Sequence, residues 1–187
     1  MVLEAHQVAP DRFRPLARHE YEALVRLGAF EDERVELLYG SVIEMSPHGP
    51  RHDATIDRLL DVLRERLGDR ARVRVQSAFV ASDGSEPQPD LSVVSRRDYD
   101  EGHPKEAFLL IEVADTSVAK DRTVKAKLYA ECGVEEYWLV NLVDRVVEVF
   151  TRPEGGGYME RRVAGPDAEI RIHAFRDVVV EVAAFLK

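Results

Sequence analysis

Apolar positions along this chain recur at two periods, and the places where one period gives way to the other mark out the elements. Between His19 and Leu27 the residues Tyr21, Leu24, Val25 and Leu27 fall at helical spacing, and Gly28 supplies a stop. Val35 and Leu37, then Val42, Ile43 and Met45, flank Tyr39-Gly40-Ser41 and predict a hairpin over 34–45, the glycine providing the turn geometry. After the loop Ser46-Pro47-His48-Gly49-Pro50 comes the clearest stripe, Ile56, Leu59, Leu60, Leu63 and Leu67, which predicts a helix closed by Gly68. Residues 72–80 alternate, with Val73, Val75 and Phe79 against Arg72, Arg74 and Gln76, as a half-buried strand does. A polar loop follows over 82–88. The stretches 91–94 and 107–113 are almost continuously apolar, the mark of central strands covered on both faces.

The second half of the chain continues the pattern. Residues 121–132 read as a helix with Val124, Leu128 and Tyr129 facing inward and Gly133 at its exit. Strands are predicted over 136–140 and 146–150, then a tight connection at Gly155-Gly156-Gly157. Short strands follow over 161–163 and 170–172, and residues 178–186 read as strand then short helix. Residues 1–17, with Pro10 and Pro15 and little periodicity, read as an extended arm, which leaves 18–187 as a single domain. This order predicts an α/β or mixed α+β fold, a mixed sheet with helices against it.

Composition narrows the picture. The chain has 187 residues, 45% hydrophobic and 33% charged, enough apolar material to bury a core. Its single cysteine, Cys132, excludes an intrachain disulfide and a cysteine-rich zinc site. A net charge of -9 argues against holding nucleic acid by bulk electrostatics, though not against a local basic groove. Arg64, Arg66, Arg70, Arg72 and Arg74, with Arg96-Arg97, form either solvated faces or a phosphate path. The start lacks a basic region followed by a long apolar core, and no apolar run is long enough to span a bilayer, so a cytoplasmic protein with no membrane partner is expected.

The chemistry-bearing positions stand out against this background. Glu112 lies inside Leu109-Leu110-Ile111-Glu112-Val113, and a carboxylate buried in a strand is costly unless something pairs with it. It points out from an edge strand, pairs with a buried arginine, or serves a site. Asp90, after Pro89, heads the preceding strand; taken alone it also reads as a turn acid. Neighbouring strands can set Asp90 and Glu112 side by side, where a shared divalent cation relieves their repulsion. Hard cations such as Mg2+, or Mn2+, choose carboxylate oxygens and keep waters for chemistry. Asp121, Lys125 and Tyr129 follow at i, i+4 and i+8 along one helical face. Lys125 then orients the water or steadies a pentacovalent phosphate, unless it and Asp121 form an ordinary surface ion pair. Lys127 projects from a different face. Glu36, in an alternating strand, and His52, in the first turn of the second helix, could reach the same cavity, His52 taking or giving a proton. His52 alone also reads as structural or solvent-facing, and Gln76 is a minor addition.

At these residues the chain resembles a known family. Pro89-Asp90, Glu112-Val113-Ala114-Asp115-Thr116-Ser117, Asp121-Arg122 with Lys125 and Tyr129-Ala130, and Gly133-Val134-Glu135-Glu136-Tyr137-Trp138-Leu139-Val140 are similar to the Uma family of bacterial endonucleases. Val35-Glu36-Leu37-Leu38-Tyr39-Gly40, followed by Met45-Ser46-Pro47 and His52, resembles the same family's N-terminal signature. The resemblance runs from Tyr21 to Phe150. It implies the restriction-endonuclease-like fold of the PD-(D/E)XK superfamily, in which a mixed central sheet flanked by helices carries two acids and a lysine around magnesium. Two residues after Glu112 stands Ala114 where that superfamily has lysine, and the resemblance moves the lysine to the following helix, at Lys125. Asn141 stands where many members carry an acid.

The expectation is therefore a DNA endonuclease that hydrolyses phosphodiester bonds by metal-activated water, with Mg2+ or Mn2+ as cofactor. Asp90 and Glu112 bind the metal, Lys125 assists the water, and Glu36 or His52 completes the site. The rivals are a non-catalytic nucleic-acid or protein-binding module on the same fold, and a hydrolase of another phosphate ester. A homodimer is expected, because cutting both strands of a duplex is served by two sites.

Overall fold

The computed structural model describes residues 14–187. Residues 1–13 of the expected arm lie outside the described residues. The chain runs α1 (Arg18–Arg26), β1 (Val35–Leu38), β2 (Ser41–Glu44), α2 (Pro50–Leu67), β3 (Arg72–Val75), β4 (Leu91–Val94) and β5 (Leu109–Ala114). It continues through α3, then β6 (Glu136–Asn141), β7 (Val146–Glu154), β8 (Gly157–Ala164), β9 (Glu169–Ile172) and β10 (Phe175–Glu181). The helix α3 is composite: an α turn at Val118–Lys120, a π turn at Asp121–Lys125 and an α segment at Ala126–Glu131.

The apolar runs go into one sheet of order β3-β4-β5-β6-β7-β8. Only β5 and β6 run parallel; the other neighbours are antiparallel. Parallel neighbours need a crossover, and α3 is it. The mixed sheet with helices against it is the architecture expected from the pattern. Every residue of β4 and β5 is buried, in keeping with their continuous apolar character.

Strand alternation sorts the sheet's two faces. On one, Ile56, Leu59, Leu63 and Leu67 of α2 join Leu91, Val93, Ile111 and Val113, with Ile170, Ile172, Val178 and Val180 of the β9/β10 hairpin in the same core. On the other, Leu110, Ala114, Tyr137 and Leu139 meet Leu128 and Tyr129 of α3. Glu112, between Ile111 and Val113, thus faces α3.

Several boundaries depart from the pattern for local reasons. The strand expected over 72–80 stops at Val75, because Gln76 takes φ +43° and turns the chain away. Phe79 is buried against Tyr129, at a ring separation of 6.5 Å, instead of extending the strand. The tight connection at the glycines is a two-residue turn, Gly155-Gly156, at φ 61° and 81°. That left-handed pair suits a hairpin's twist and lets β7 and β8 run on beyond the expected strands. The β1-β2 turn, Tyr39-Gly40, uses the same geometry at φ 50° and 78°. A Cβ on Gly40 would also come within 2.2 Å of the Pro15 Cβ.

Candidate active site

The β4-β5 register brings the two acids level. Leu91 pairs with Ile111, so Asp90 lies opposite Glu112 one step on, and opposed residues share a face. The Val113 amide donates to Asp90 Oδ2 at 2.8 Å, which fixes that carboxylate across the strands. His52, at the start of α2, brings Nε2 to 3.3 Å from the same oxygen.

Lys125 comes from the other side. Its Nζ lies 2.8 Å from Glu112 Oε1 and 2.8 Å from Glu36 Oε2. Tyr129 Oη donates to Glu112 Oε1 at 2.6 Å, and Lys120 Nζ lies 3.2 Å from Glu36 Oε1. Glu36 is 0% exposed and Lys125 2% exposed, so this is an interior cluster and not a surface pair. The five residues singled out from the sequence, Glu36, His52, Asp90, Glu112 and Lys125, all line one cleft, together with Ser117, Lys120, Asp121 and the loop Met45 to Gly49. The cleft encloses about 110 Å³, room for several waters or a hydrated ion, since one water takes roughly 15 Å³ on this measure.

The π turn sets this geometry. The Ala126 amide reaches back five residues to the Asp121 carbonyl, which also accepts from Tyr137 Oη at 3.2 Å. One residue more per turn carries Lys120 and Asp121 toward the cleft while Lys125 and Tyr129 stay over Glu112. Asp121 is buried and accepts from Ser117 Oγ. Lys127 points away, paired with Glu131 and 5.3 Å from the Tyr39 ring. Glu112 sits in a central strand with a lysine partner, so neither the edge-strand nor the buried-arginine alternative holds.

One ammonium is shared by four buried carboxylates. Burial works against the Lys125 charge, but Glu112, Glu36 and Asp121 outweigh it and push its pKa up. Burial pushes Glu112 up to about 8; Lys125 opposes this, while Asp121, Asp90 and Glu36 add to it. Asp121 is raised by burial too. Burial would raise Asp90 and Glu36 as well. The Val113 amide bond and the nearby His52 ring hold Asp90 below its ordinary value, and Lys125 and Lys120 do so for Glu36. His52 stays above its ordinary value because Asp90 outweighs its burial. The cluster is therefore short of positive charge.

A divalent cation fits that deficit. The bonds to Asp90 fall on Oδ2 and those to Glu112 on Oε1, so each carboxylate keeps an oxygen for a ligand.

Some residues turn out elsewhere, and others had no signal. None of the clustered arginines lines the cleft; Arg70 pairs with Asp177, Arg96 with Asp69, and Arg74 and Arg97 lie over the Tyr99 ring. Asn141 caps the β6-β7 turn, its Oδ1 accepting from the amides of Val143 and Asp144. Lys120 and His48 were not singled out. Lys120 reads as surface charge, and His48 sits in a Pro/Gly loop with no period to orient it.

Residues 18–183 match the model of the Uma2 family, described as "Putative restriction endonuclease". No curated protein matches the sequence. Among solved structures, a "putative nuclease belonging to DUF820" from Anabaena variabilis aligns over 92% of this chain and 98% of its own, at TM-score 0.72 and 19% identity. That agreement shows a shared fold. A DrdV-DNA complex aligns over 60% of this chain and 12% of its own, at TM-score 0.33 and 14% identity, too distant to carry an argument.

Proposed function

This chain belongs to the Uma2 family, and we propose that it is a divalent-cation-dependent phosphodiesterase that cuts DNA. The observation that carries this reading is the convergence of Asp90, Glu112 and Lys125 on one cleft with an oxygen of each acid left unbonded. Asp90 Oδ1 and Glu112 Oε2 would hold the cation. Bound there, it would supply Lewis acidity at a phosphodiester and lower the pKa of water.

The chain's own residues do the positioning. Val113 and His52 hold Asp90; Tyr129 and Lys125 orient Glu112. Lys125 spends two of its three N–H donors on Glu36 and Glu112, and the third serves the attacking water or the charge that builds on phosphate. Glu36, held in turn by Lys120, keeps Lys125 in place. Apolar strands beneath the cleft exclude bulk water, which strengthens each of these interactions.

The test is nicking of supercoiled plasmid and cutting of single-stranded DNA by the wild type and Asp90→Asn, with Mg2+, Mn2+ or a chelator. Cleavage that needs the ion and disappears in Asp90→Asn supports the reading. A wild type that binds divalent ions yet cuts neither substrate, or an Asp90→Asn variant that cuts at the wild-type rate, overturns it.

A further inference from the structure

A second set of donors stands beside the acid pair. His48, His52 and Asp90 each offer a ligand atom, and the three atoms lie within 4.8 Å of one another. The two imidazoles are stacked, with ring centres 3.9 Å apart and planes 30° apart. Both are held from the Nδ1 side. Asp53 Oδ1 lies 3.3 Å from His52 Nδ1 and 3.6 Å from His48 Nδ1. The Gln76 side-chain amide lies 3.1 Å from His48 Nδ1, with Arg34 Nη1 at 3.5 Å. Asp53 accepts from the Nδ1 side of His52 and leaves Nε2 for the ion, which is what a metal-ligating histidine has. The Gln76 amide does the same for His48 with its carbonyl oxygen turned toward Nδ1.

Two further observations point the same way. His52 Nε2 and Asp90 Oδ2 are 3.3 Å apart. That is long for a charge-assisted hydrogen bond, about 2.7–2.9 Å. It suits two donors that each sit about 2.1 Å from one ion, which places them roughly 3.0–3.4 Å apart. Gln76, whose side chain meets His48, also occupies a left-handed backbone conformation at φ +43°. Such strain in a residue with a Cβ gathers where the surroundings hold a functional group in place.

We propose that His48, His52 and Asp90 form a binding site for a first-row transition cation such as Mn2+, Co2+ or Zn2+, a site that Mg2+ does not fill. Imidazole nitrogen suits those ions, whereas Mg2+ takes oxygen donors and gives up its waters reluctantly. His52 is then a ligand and not a proton carrier. The inference rests on the reading of the cleft as a cation site, but not on its cutting DNA.

The metal-stripped full chain is titrated with Zn2+ and with Mg2+ while the imidazole nitrogens are followed by long-range proton-nitrogen NMR. One equivalent of Zn2+ shifts Nε2 of His48 and His52 and leaves His103 and His173 in place, and millimolar Mg2+ shifts neither site ring. By calorimetry, His48→Ala and His52→Ala each weaken Co2+ binding roughly 100-fold, and Gln76→Ala roughly 10-fold. The wild-type NMR reading does not depend on whether the variants fold. The site is refuted if Zn2+ moves neither ring, if Mg2+ moves both, or if Co2+ binding survives both histidine changes and depends on Glu112 instead. That last result leaves the phosphodiesterase reading standing. Histidine-dependent binding by a protein that cuts no DNA does the reverse.

Discussion

Glu112 and Glu148 occupy the same kind of sequence, a lone acid in an apolar strand, and the fold gives them opposite partners. Glu148 accepts from Arg122 and Arg161, which outweigh its burial and hold it below the ordinary carboxylate range. Glu112 shares one lysine with three other acids. A buried acid in such a run needs a partner, and only the fold tells which of the two is saturated. In the cleft, Lys125→Met leaves Glu112 buried without a cation and Glu36 with Lys120 alone. It should cost about 3–5 kcal/mol in urea unfolding of the metal-free protein. A loss under 1 kcal/mol would show that the cluster sheds its charge by protonation. A separate acid sets a pH dependence. Glu86 Oε2 has no hydrogen-bond partner, and burial, with Glu22 nearby, pushes Glu86 from its ordinary 4.5 up to about 7. A raised acid contributes stability that is complete below pH 4.5 and lost as pH rises through 7. Glu86→Gln should therefore match the wild type in thermal unfolding at pH 4 and exceed it by roughly 2 kcal/mol at pH 8. A difference that is equal at both pH values would refute the assignment.

At the level of elements, periodicity located α3 but not its π turn. The spacing of Asp121, Lys125 and Tyr129 reads as one α face, and the extra residue in the turn lies where the Tyr137 hydroxyl of β6 donates to the Asp121 carbonyl, a contact that spacing does not show. Deleting Thr123, an exposed residue of that turn, restores α spacing and rotates Lys120 and Asp121 by about 100° relative to Lys125. Circular dichroism should stay helical while DNA cleavage falls at least tenfold; unchanged cleavage would make the turn incidental. The hairpins were legible because glycine spells their geometry. Gly40→Ala should cost more than a glycine-to-alanine change usually does, about 2 kcal/mol or more, since it meets both a left-handed backbone and Pro15. Thermal unfolding checks this. The early end of β3 had no such sign, because Gln76 is not a residue that announces a left-handed turn.

Across the whole molecule, the central sheet was readable from two apolar runs and a helical segment between parallel strands. The convergence of the site was not. Glu36 reaches Lys125 from a hairpin outside the main sheet, and His52 reaches Asp90 from a helix on the face opposite α3. Periodicity fixes which face a residue shows, but not which distant residue it meets; from the residues alone, Glu36 and His52 were candidates to reach the cavity and no more. Helical spacing put Lys125 on the face of Asp121 and Tyr129 and Lys127 on another; in the structure Lys125 lines the cleft and Lys127 pairs with Glu131. The most direct test of that arrangement is single-turnover cleavage of a DNA duplex with Mn2+ by Lys125→Met and Lys127→Met, each shown to be folded. The account predicts wild-type cleavage from Lys127→Met and a loss of at least a hundredfold from Lys125→Met with DNA binding retained. Equal cleavage by the two variants would contradict it.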